Sequence, residues 1–298
     1  MLASYYRILS RNGTIAVGLE DVPSNALVGF VCSFPSSFSA HGISLDAVEA
    51  NFLCVSHEYR SRGLAPLLIN EITRLNNLNG IFSAIFTSGT LIGQPFARAQ
   101  YFHLPLNYTK LKLCGFIDDK IPQAHRKCSS YSTLKLKSLF DCTETIQRDI
   151  CTKLQTQYKT SYDMFANYSW DAFSNVFISG SKLKTFVGLN DDESISSVIS
   201  YYVIDSKILE NESVSKISCA YIFHNIAENA NALCSIFSQL IDIFSQSGID
   251  VINCLNTMNN MILIEEFGFK PGDGYLNYYF YNWKTSHIPL DKLAYAVF

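Results

Sequence analysis

The chain has 298 residues, 48% of them apolar and 16% charged, with 23 Lys and Arg against 26 Asp and Glu. This is too apolar for a disordered chain, and the near-neutral balance lacks the basic excess of a general nucleic-acid binder. No window of 18 unbroken apolar residues occurs and the start MLASYYRILSRNG has no long apolar core, so neither a membrane span nor a secretory leader is expected.

Taken in chain order, ALVGFVCSF (26–34) reads as a strand and NFLCVS (51–56) as a second, buried one. Leu64, Leu67, Leu68, Ile72, Leu75 and Leu78 then recur at helical spacing and predict one apolar helix face. Pro66 fits in the first turn of that helix, and Asn79-Gly80 closes it. IFSAIFT follows as another strand. The order returns in the second half with strands ISSVISYYVI (195–204) and AYIFHN (220–225). A helix then carries Leu233, Ile236, Phe237, Leu240, Ile241 and Phe244, ends at Gly248, and leads into strand IDVINCL. Gly80 and Gly248 are 168 residues apart, and Gly115-Phe116 pairs with Gly268-Phe269 at an offset of 153. The first half therefore carries 15 extra residues after Thr87. The expected organisation is two α/β halves, 1–138 and 139–298. The pattern alone fits either a duplicated fold or two unrelated α/β halves with ordinary helix stops.

Nine cysteines, at 32, 54, 114, 128, 142, 151, 219, 234 and 254, form no CxxC pair. They read as reduced thiols packed as small apolar residues, which points to the cytoplasm. No Cys/His cluster has zinc spacing, so no metal is expected.

Arg60-Ser61-Arg62-Gly63-Leu64-Ala65 lies between a strand and a helix. Small residues there let backbone N–H groups face an anion, and the helix N-terminus adds positive potential. R-x-x-G-x-A is the pattern with which acyl-CoA-dependent N-acyltransferases hold the CoA diphosphate. Short Gly/Ala turns before helices are also common for purely structural reasons. The second half has IAENANA at the matching place, so only the first half is expected to bind CoA.

Further matches are collinear from about residue 26 to 298. Glu49-Ala50-Asn51-Phe52-Leu53-Cys54-Val55 resembles the EINFLCV signature of the glycylpeptide N-tetradecanoyltransferase (N-myristoyltransferase) family. Leu64-Ala65-Pro66-Leu67-Leu68-Ile69 and Glu71-Ile72-Thr73-Arg74 are similar to its LAPVLI-EITR helix. Gly80-Ile81-Phe82, Thr87-Ser88-Gly89, and Tyr101-Phe102-His103 with Leu106-Asn107 resemble GIF, TAG and YWH-SLN. Gly272-Asp273-Gly274 and Tyr278-Tyr279-Phe280-Tyr281-Asn282-Trp283-Lys284 resemble GDG and YYLYNWK.

The resemblance implies two tandem acetyltransferase-like (GNAT) halves in pseudo-twofold relation, with α/β structure and a mixed sheet. It implies transfer of a tetradecanoyl group from myristoyl-CoA, as co-substrate, to the α-amine of proteins with an N-terminal glycine, by a cytoplasmic monomer with no prosthetic group and no metal. The acyl-CoA site would comprise Phe52, Leu53, Cys54, Val55, Arg60, Ser61, Arg62, Gly63, Leu64, Ala65 and Pro66. Attack on a thioester builds charge on the carbonyl oxygen, and fixed backbone N–H groups stabilise it. The resemblance gives that role to Phe52 and Leu53 through a bulge, where the residues alone suggest a simply buried pair. The base would be the main-chain carboxylate of Phe298, at the end of the apolar tail AYAVF, although such a tail also suits plain packing. Thr87 and Asn51 would position the amine. Tyr101, His103 and Tyr221 match peptide-groove positions, although His103 also suits a core histidine. Asp273 is either a turn residue or, with Gly274, part of the groove. Cys54 has apolar neighbours and is expected in the core.

The chain departs from the family pattern at Gly63, Gln100 and Leu104, where basic residues are usual, and at Ala50 and Phe102. Family catalytic regions also begin well before Met1, with a stretch that caps the acyl-CoA and an acidic loop facing substrate lysines. Either this chain is a reduced form or its coding sequence continues upstream. Two other readings are a short-chain amine acetyltransferase, which the second half argues against, and a non-catalytic acyl-CoA or peptide-binding module.

Overall fold

The computed structural model describes residues 4–11, 13–117, 131–179, 182–209, 211 and 213–296. The chain forms two compact units. The first holds residues up to Arg98 together with Asn277–Ile288, and the second holds Ala99–Leu276 and Pro289–Val297.

In the first unit, β1 (Ser4–Arg11), β2 (Thr14–Asp21), β3 (Ala26–Ala40) and β4 (Ile43–Val55) form an antiparallel meander. His41 and Gly42 close the β3–β4 hairpin, with φ of 48° and 78°. A two-residue hairpin turn with both φ positive matches the strand twist. Helix α1 (Leu64–Leu78) then crosses over to β5 (Ala84–Ser88), which runs parallel to β4. Asn277–Tyr281 adds an antiparallel strand on the other side of β5. The core is Ile15, Val17, Leu19, Val28 and Val31 from the sheet against Leu64, Leu68 and Ile72 of α1. Each such burial contributes roughly 1.5–3 kcal/mol.

The buried stripe of α1 differs from the predicted one. It runs Leu64, Leu68, Ile72, Asn76, at intervals of four, while Leu67 and Leu78 are exposed. Leu75 lies half-buried against the core. The sequence pattern weighs apolar residues alone, and so passes over Asn76, the one polar residue that the helix buries.

The second unit takes the chain from β6 (Ala97–Pro105) through α2 (Tyr108–Leu113), β7 (Lys135–Ser138), α3 (Glu144–Ser161), β8 (Met164–Ala166) and α4 (Trp170–Phe173). It continues with β9 (Leu183–Leu189), β10 (Ile195–Lys207), β11 (Lys216–Ala227), α5 (Ala230–Gln246), β12 (Val251–Leu255), α6 (Asn260–Phe267) and the part of β13 (Lys270–Tyr281) up to Leu276, and β14 (Leu293–Ala294) closes it. Its sheet order is β6-β12-β11-β10-β9-β7, with β11 and β12 parallel across α5. Both units thus have the acetyltransferase-like order of an antiparallel pair, a helix and a parallel strand. The strand pairing differs from a division at 138: Tyr101–Pro105 pair with Val251–Leu255, and Asn277–Tyr281 pair with β5. The predicted extra residues after Thr87 are those that carry β6. Among the described residues, no helix is long and apolar enough to cross a membrane.

Candidate active site

The first cluster of predicted residues is organised by a defect in β4. Phe30 pairs with Cys54 and Cys32 with Asn51, so Phe52 and Leu53 together oppose Val31. This is a β-bulge, which leaves one residue out of the ladder and bends the strand. Phe52 takes φ of 59°, a conformation costing on the order of 1–3 kcal/mol for a side chain of its kind. Its ring is held edge-on against Phe34, centroids 6.4 Å apart.

Beyond Glu49, β4 and β5 separate. Their pairing consists of Val48 with Ala84 and Glu49 with Ile85. The opening is a cavity of about 590 Å³, with Ala50, Asn51, Phe52 and Leu53 on one wall and Phe86, Thr87 and Ser88 on the other. Ile69, Ile72, Thr73 and Asn76 of α1 cover it, and Val31 and Ser33 also line it. Asn51 is buried and donates from Nδ2 to Glu49 Oε1 at 2.5 Å. Burial and the nearby Glu49 carboxylate push the Cys32 thiol up to about 11, so it stays protonated at neutral pH. Asn51, Phe52, Leu53 and Thr87 are therefore brought together.

Cys54 is exposed, contrary to the expected core position. The reason is the same separation: past Glu49, β4 has no ladder partner on its β5 side.

The glycine loop holds Ser61 at φ 61° and Gly63 at φ 74°. Gly63 is the N-cap of α1, with no side chain capping the helix and no acid in its first turn. A Cβ at Gly63 would meet nothing within 4 Å, so the backbone is open to approach from outside. Arg60 Nε donates to Val55 O at 3.2 Å, and Arg62 Nη2 to Glu58 O at 3.0 Å. The Arg62 guanidinium also lies 5.0 Å over the Tyr59 ring. The two arginines thus brace the loop while keeping their charge beside it. Cys54, Val55 and Arg60–Pro66 are outside the cavity lining.

The second cluster crosses the second unit's sheet. Tyr202 pairs with Tyr221, Tyr221 with Asn253, and Asn253 with His103. His103 Nδ1 bonds Asn253 Oδ1 at 2.6 Å. Tyr221 stacks on Tyr202 at 5.3 Å and meets Tyr101 edge-on at 6.4 Å. Burial, then the neighbouring Tyr221, raises the Tyr101 phenol to about 12. A Cβ at Gly272 would overlap the His103 ring, and one at Gly274 would touch Tyr101 at 3.4 Å. At Gly272 a side chain would force the His103 ring aside, so glycine there permits the close approach of β13 to β6, while at Gly274 the contact is an ordinary one. Asp273 is exposed and lies within the strand, not in a turn. Gln100 Nε2 donates to Gly272 O at 2.8 Å. The sequence reading found Tyr101, His103, Tyr221, Asp273 and Gly274, and noted Gln100 as a departure from the family pattern, but missed Tyr202 and Asn253. Only register places those two with the others. Phe298 lies outside the described residues.

Two family models match this chain: myristoyl-CoA:protein N-myristoyltransferase, N-terminal domain, over residues 10–99, and the C-terminal domain over residues 122–294. The chain is 32% identical over 286 positions to glycylpeptide N-tetradecanoyltransferase 2 of Bos taurus, covering 93% of this chain and 56% of the relative. It is 32% identical to glycylpeptide N-tetradecanoyltransferase of Plasmodium falciparum (isolate 3D7), covering 93% of this chain and 68% of that one. The fold is similar to the crystal structure of Saccharomyces cerevisiae N-myristoyltransferase with bound myristoyl-CoA. That match has a TM-score of 0.81 at 24% identity and covers 91% of this chain and 70% of the other. The chain thus spans between about half and two thirds of the length of these curated relatives.

Proposed function

The chain belongs to the myristoyl-CoA:protein N-myristoyltransferase family, and on that premise we propose that it transfers a tetradecanoyl group from myristoyl-CoA to the α-amine of an N-terminal glycine. The observation that carries this reading is the bulge at Phe52–Leu53, which opens onto the cavity of about 590 Å³. Amides freed from a ladder can meet a thioester oxygen as it gains charge, and donors fixed in advance need no reorganisation. The acyl chain enters the cavity, where each buried CH₂ contributes roughly 0.8 kcal/mol. The volume and its mainly apolar lining favour a long chain over an acetyl group. The CoA diphosphate sits on the loop Arg60–Ala65 and the uncapped N-terminus of α1.

The nucleophile is an amine with a pKa of about 8, so it must lose a proton to attack. Asn51 and Thr87 position it, and the Phe298 carboxylate takes the proton. Tyr101, His103, Tyr221, Asp273 and Gly274 hold the peptide. A side chain on its first residue would crowd the amine, which restricts the substrate to glycine.

Transfer of labelled myristate from its CoA ester to a Gly-initiated peptide tests the reading. The expected result is turnover with Gly and none with Ala at the first position. Acylation of both would favour a general amine acetyltransferase, and binding without turnover a non-catalytic module. The base has its own test. Phe298→Leu should keep most activity, while a residue appended after Phe298 should cost at least about 100-fold in kcat. Full turnover by the extended chain would remove the carboxylate from the mechanism.

A further inference from the structure

Glu49 holds the last rung of the β4–β5 ladder, paired with Ile85 where the two strands part. Strand alternation divides the residues at that fork between the two faces of the sheet. Asn76 of α1 donates from Nδ2 to Ser33 Oγ at 3.0 Å, so Ser33 and Ala50 opposite it face the helix. Glu49 and Asn51 flank Ala50 and therefore lie on the other face. Thr87, two residues beyond Ile85, lies there as well. The α1 face of β4 and β5 thus presents mainly hydrocarbon to the cavity, from Val48, Ala50, Ala84 and Phe86, while Glu49, Asn51 and Thr87 share the opposite face.

On that face Glu49 decides which end of the Asn51 amide can meet a ligand. Asn51 is 8% exposed, and its Nδ2 donates to Glu49 Oε1 at 2.5 Å. An ionised carboxylate only accepts, so the flipped amide, with Oδ1 against Glu49, is excluded. The main chain of Asn51 is held as well, because Cys32 Sγ donates to Asn51 O at 3.6 Å. The Cys32 thiol, raised by burial and then by the Glu49 carboxylate, reports the negative field of that group on this face. Asn51 also lines the cavity, and its amide oxygen is the end it can turn to a ligand there.

We propose that Glu49 is a positioning residue for acyl transfer, holding Asn51 with Oδ1 towards the attacking amine. This rests on the acyl-transferase reading of the site. An amine attacks through its lone pair, so its N–H bonds must be held by acceptors and the lone pair left to the thioester carbon. Asn51 Oδ1 is such an acceptor, and the Thr87 hydroxyl on the same face is a second. A flipped Asn51 would instead donate its N–H to the lone pair and block attack. Glu49 prevents this without touching the amine. Its charge also polarises the amide, which makes Oδ1 a stronger acceptor.

The test is labelled transfer to a Gly-initiated peptide by the full chain and by Glu49→Gln, Glu49→Asp, Asn51→Ala and the double variant Glu49→Gln/Asn51→Ala. Gln matches Glu in shape but can donate, so both amide orientations become available to Asn51. Its kcat should fall about tenfold, with KM for myristoyl-CoA within about twofold of the wild type. Asp is shorter but accepts only, and should keep more kcat than Gln. A packing role would give the opposite order, because Gln is the closer fit. In the Asn51→Ala background Glu49→Gln should have no further effect, within about twofold. Wild-type kcat in Glu49→Gln, the order Gln above Asp, or the full tenfold loss again in the double variant would each overturn the inference while leaving the transferase reading intact. Absence of transfer by the wild type would instead reject that reading, and the inference with it. If Glu49→Gln does not fold, Glu49→Asp decides: kcat no better than that of Asn51→Ala would overturn the inference.

Discussion

Strands β4 and β11 hold the same place in their units, second in an antiparallel pair and just before a helix, and each carries one residue more than its neighbour can match. In β4 the mismatch lies at Phe52–Leu53 opposite Val31. In β11, Ser200 pairs with His224 and Tyr201 with Ile222, leaving Phe223 over. The surroundings then diverge. The first bulge opens on a cavity, with Phe52 57% and Leu53 45% exposed. The second is filled: His224 N donates to Ser200 Oγ at 3.0 Å, and its ring bonds Tyr158 Oη at 2.6 Å and Tyr168 Oη at 3.1 Å. One backbone irregularity thus lines a cavity where it is left open, and carries a buried hydrogen-bond network where side chains close it.

Four experiments break or sharpen this contrast, in decreasing order of effect. Deleting Phe52 restores a regular ladder and removes the freed amide. Labelled transfer should then show kcat reduced about 100- to 1000-fold, the cost of losing an oxyanion donor. Ser200→Ala removes the hydroxyl from the closed bulge and leaves the His224 amide without its partner. Urea unfolding should show about 2 kcal/mol lost, while kcat per folded molecule stays at the wild-type value. Gly63→Asp puts a carboxylate at the N-terminus of α1 in a position that disfavours side chains. Calorimetry should show at least about tenfold weaker CoA binding, equal to about 1.4 kcal/mol, with the fold retained.

The fourth concerns pH. Burial holds the His224 imidazole down at about 3, against an ordinary 6.5. The unfolded chain therefore binds a proton below pH 6.5 that the folded chain refuses until about 3. The stability contribution is full above 6.5 and falls as pH drops towards 3, by about 1.4 kcal/mol one unit below 6.5. Urea midpoints at pH 7.5 and 5.5 should show this loss, and His224→Gln should flatten it.

Helices α1 and α5, and the strands before and after them, could be read from the sequence because their signals are local. Spacing of leucines and a closing glycine need no knowledge of the rest of the chain. The loop at Gly63 was legible for the same reason, and the bulge at Phe52 through the family resemblance. The partners of Tyr101 and His103 were not legible. Asn253 joins His103 only because β6 lies beside β12, a pairing across 150 residues. Asn76 was hidden differently. Its place on the stripe is periodic, but an asparagine carries no apolar signal, and Ser33 is 43 residues away. The separation of β4 from β5 depends on where pairing stops, which no residue type announces.

The strand Asn277–Tyr281, which completes the first unit against β5, also sets a timetable for synthesis. A nascent chain has made β1 to β5 and α1 long before that strand leaves the ribosome. During this interval β5 presents an open edge of unpaired backbone groups, the kind of surface on which strands of other chains pair. The first unit thus cannot finish folding as it emerges, although N-terminal domains commonly fold first. A fragment ending before Asn277 would carry the glycine loop and the bulge complete in sequence, yet leave β5 to seek its missing neighbour in another molecule.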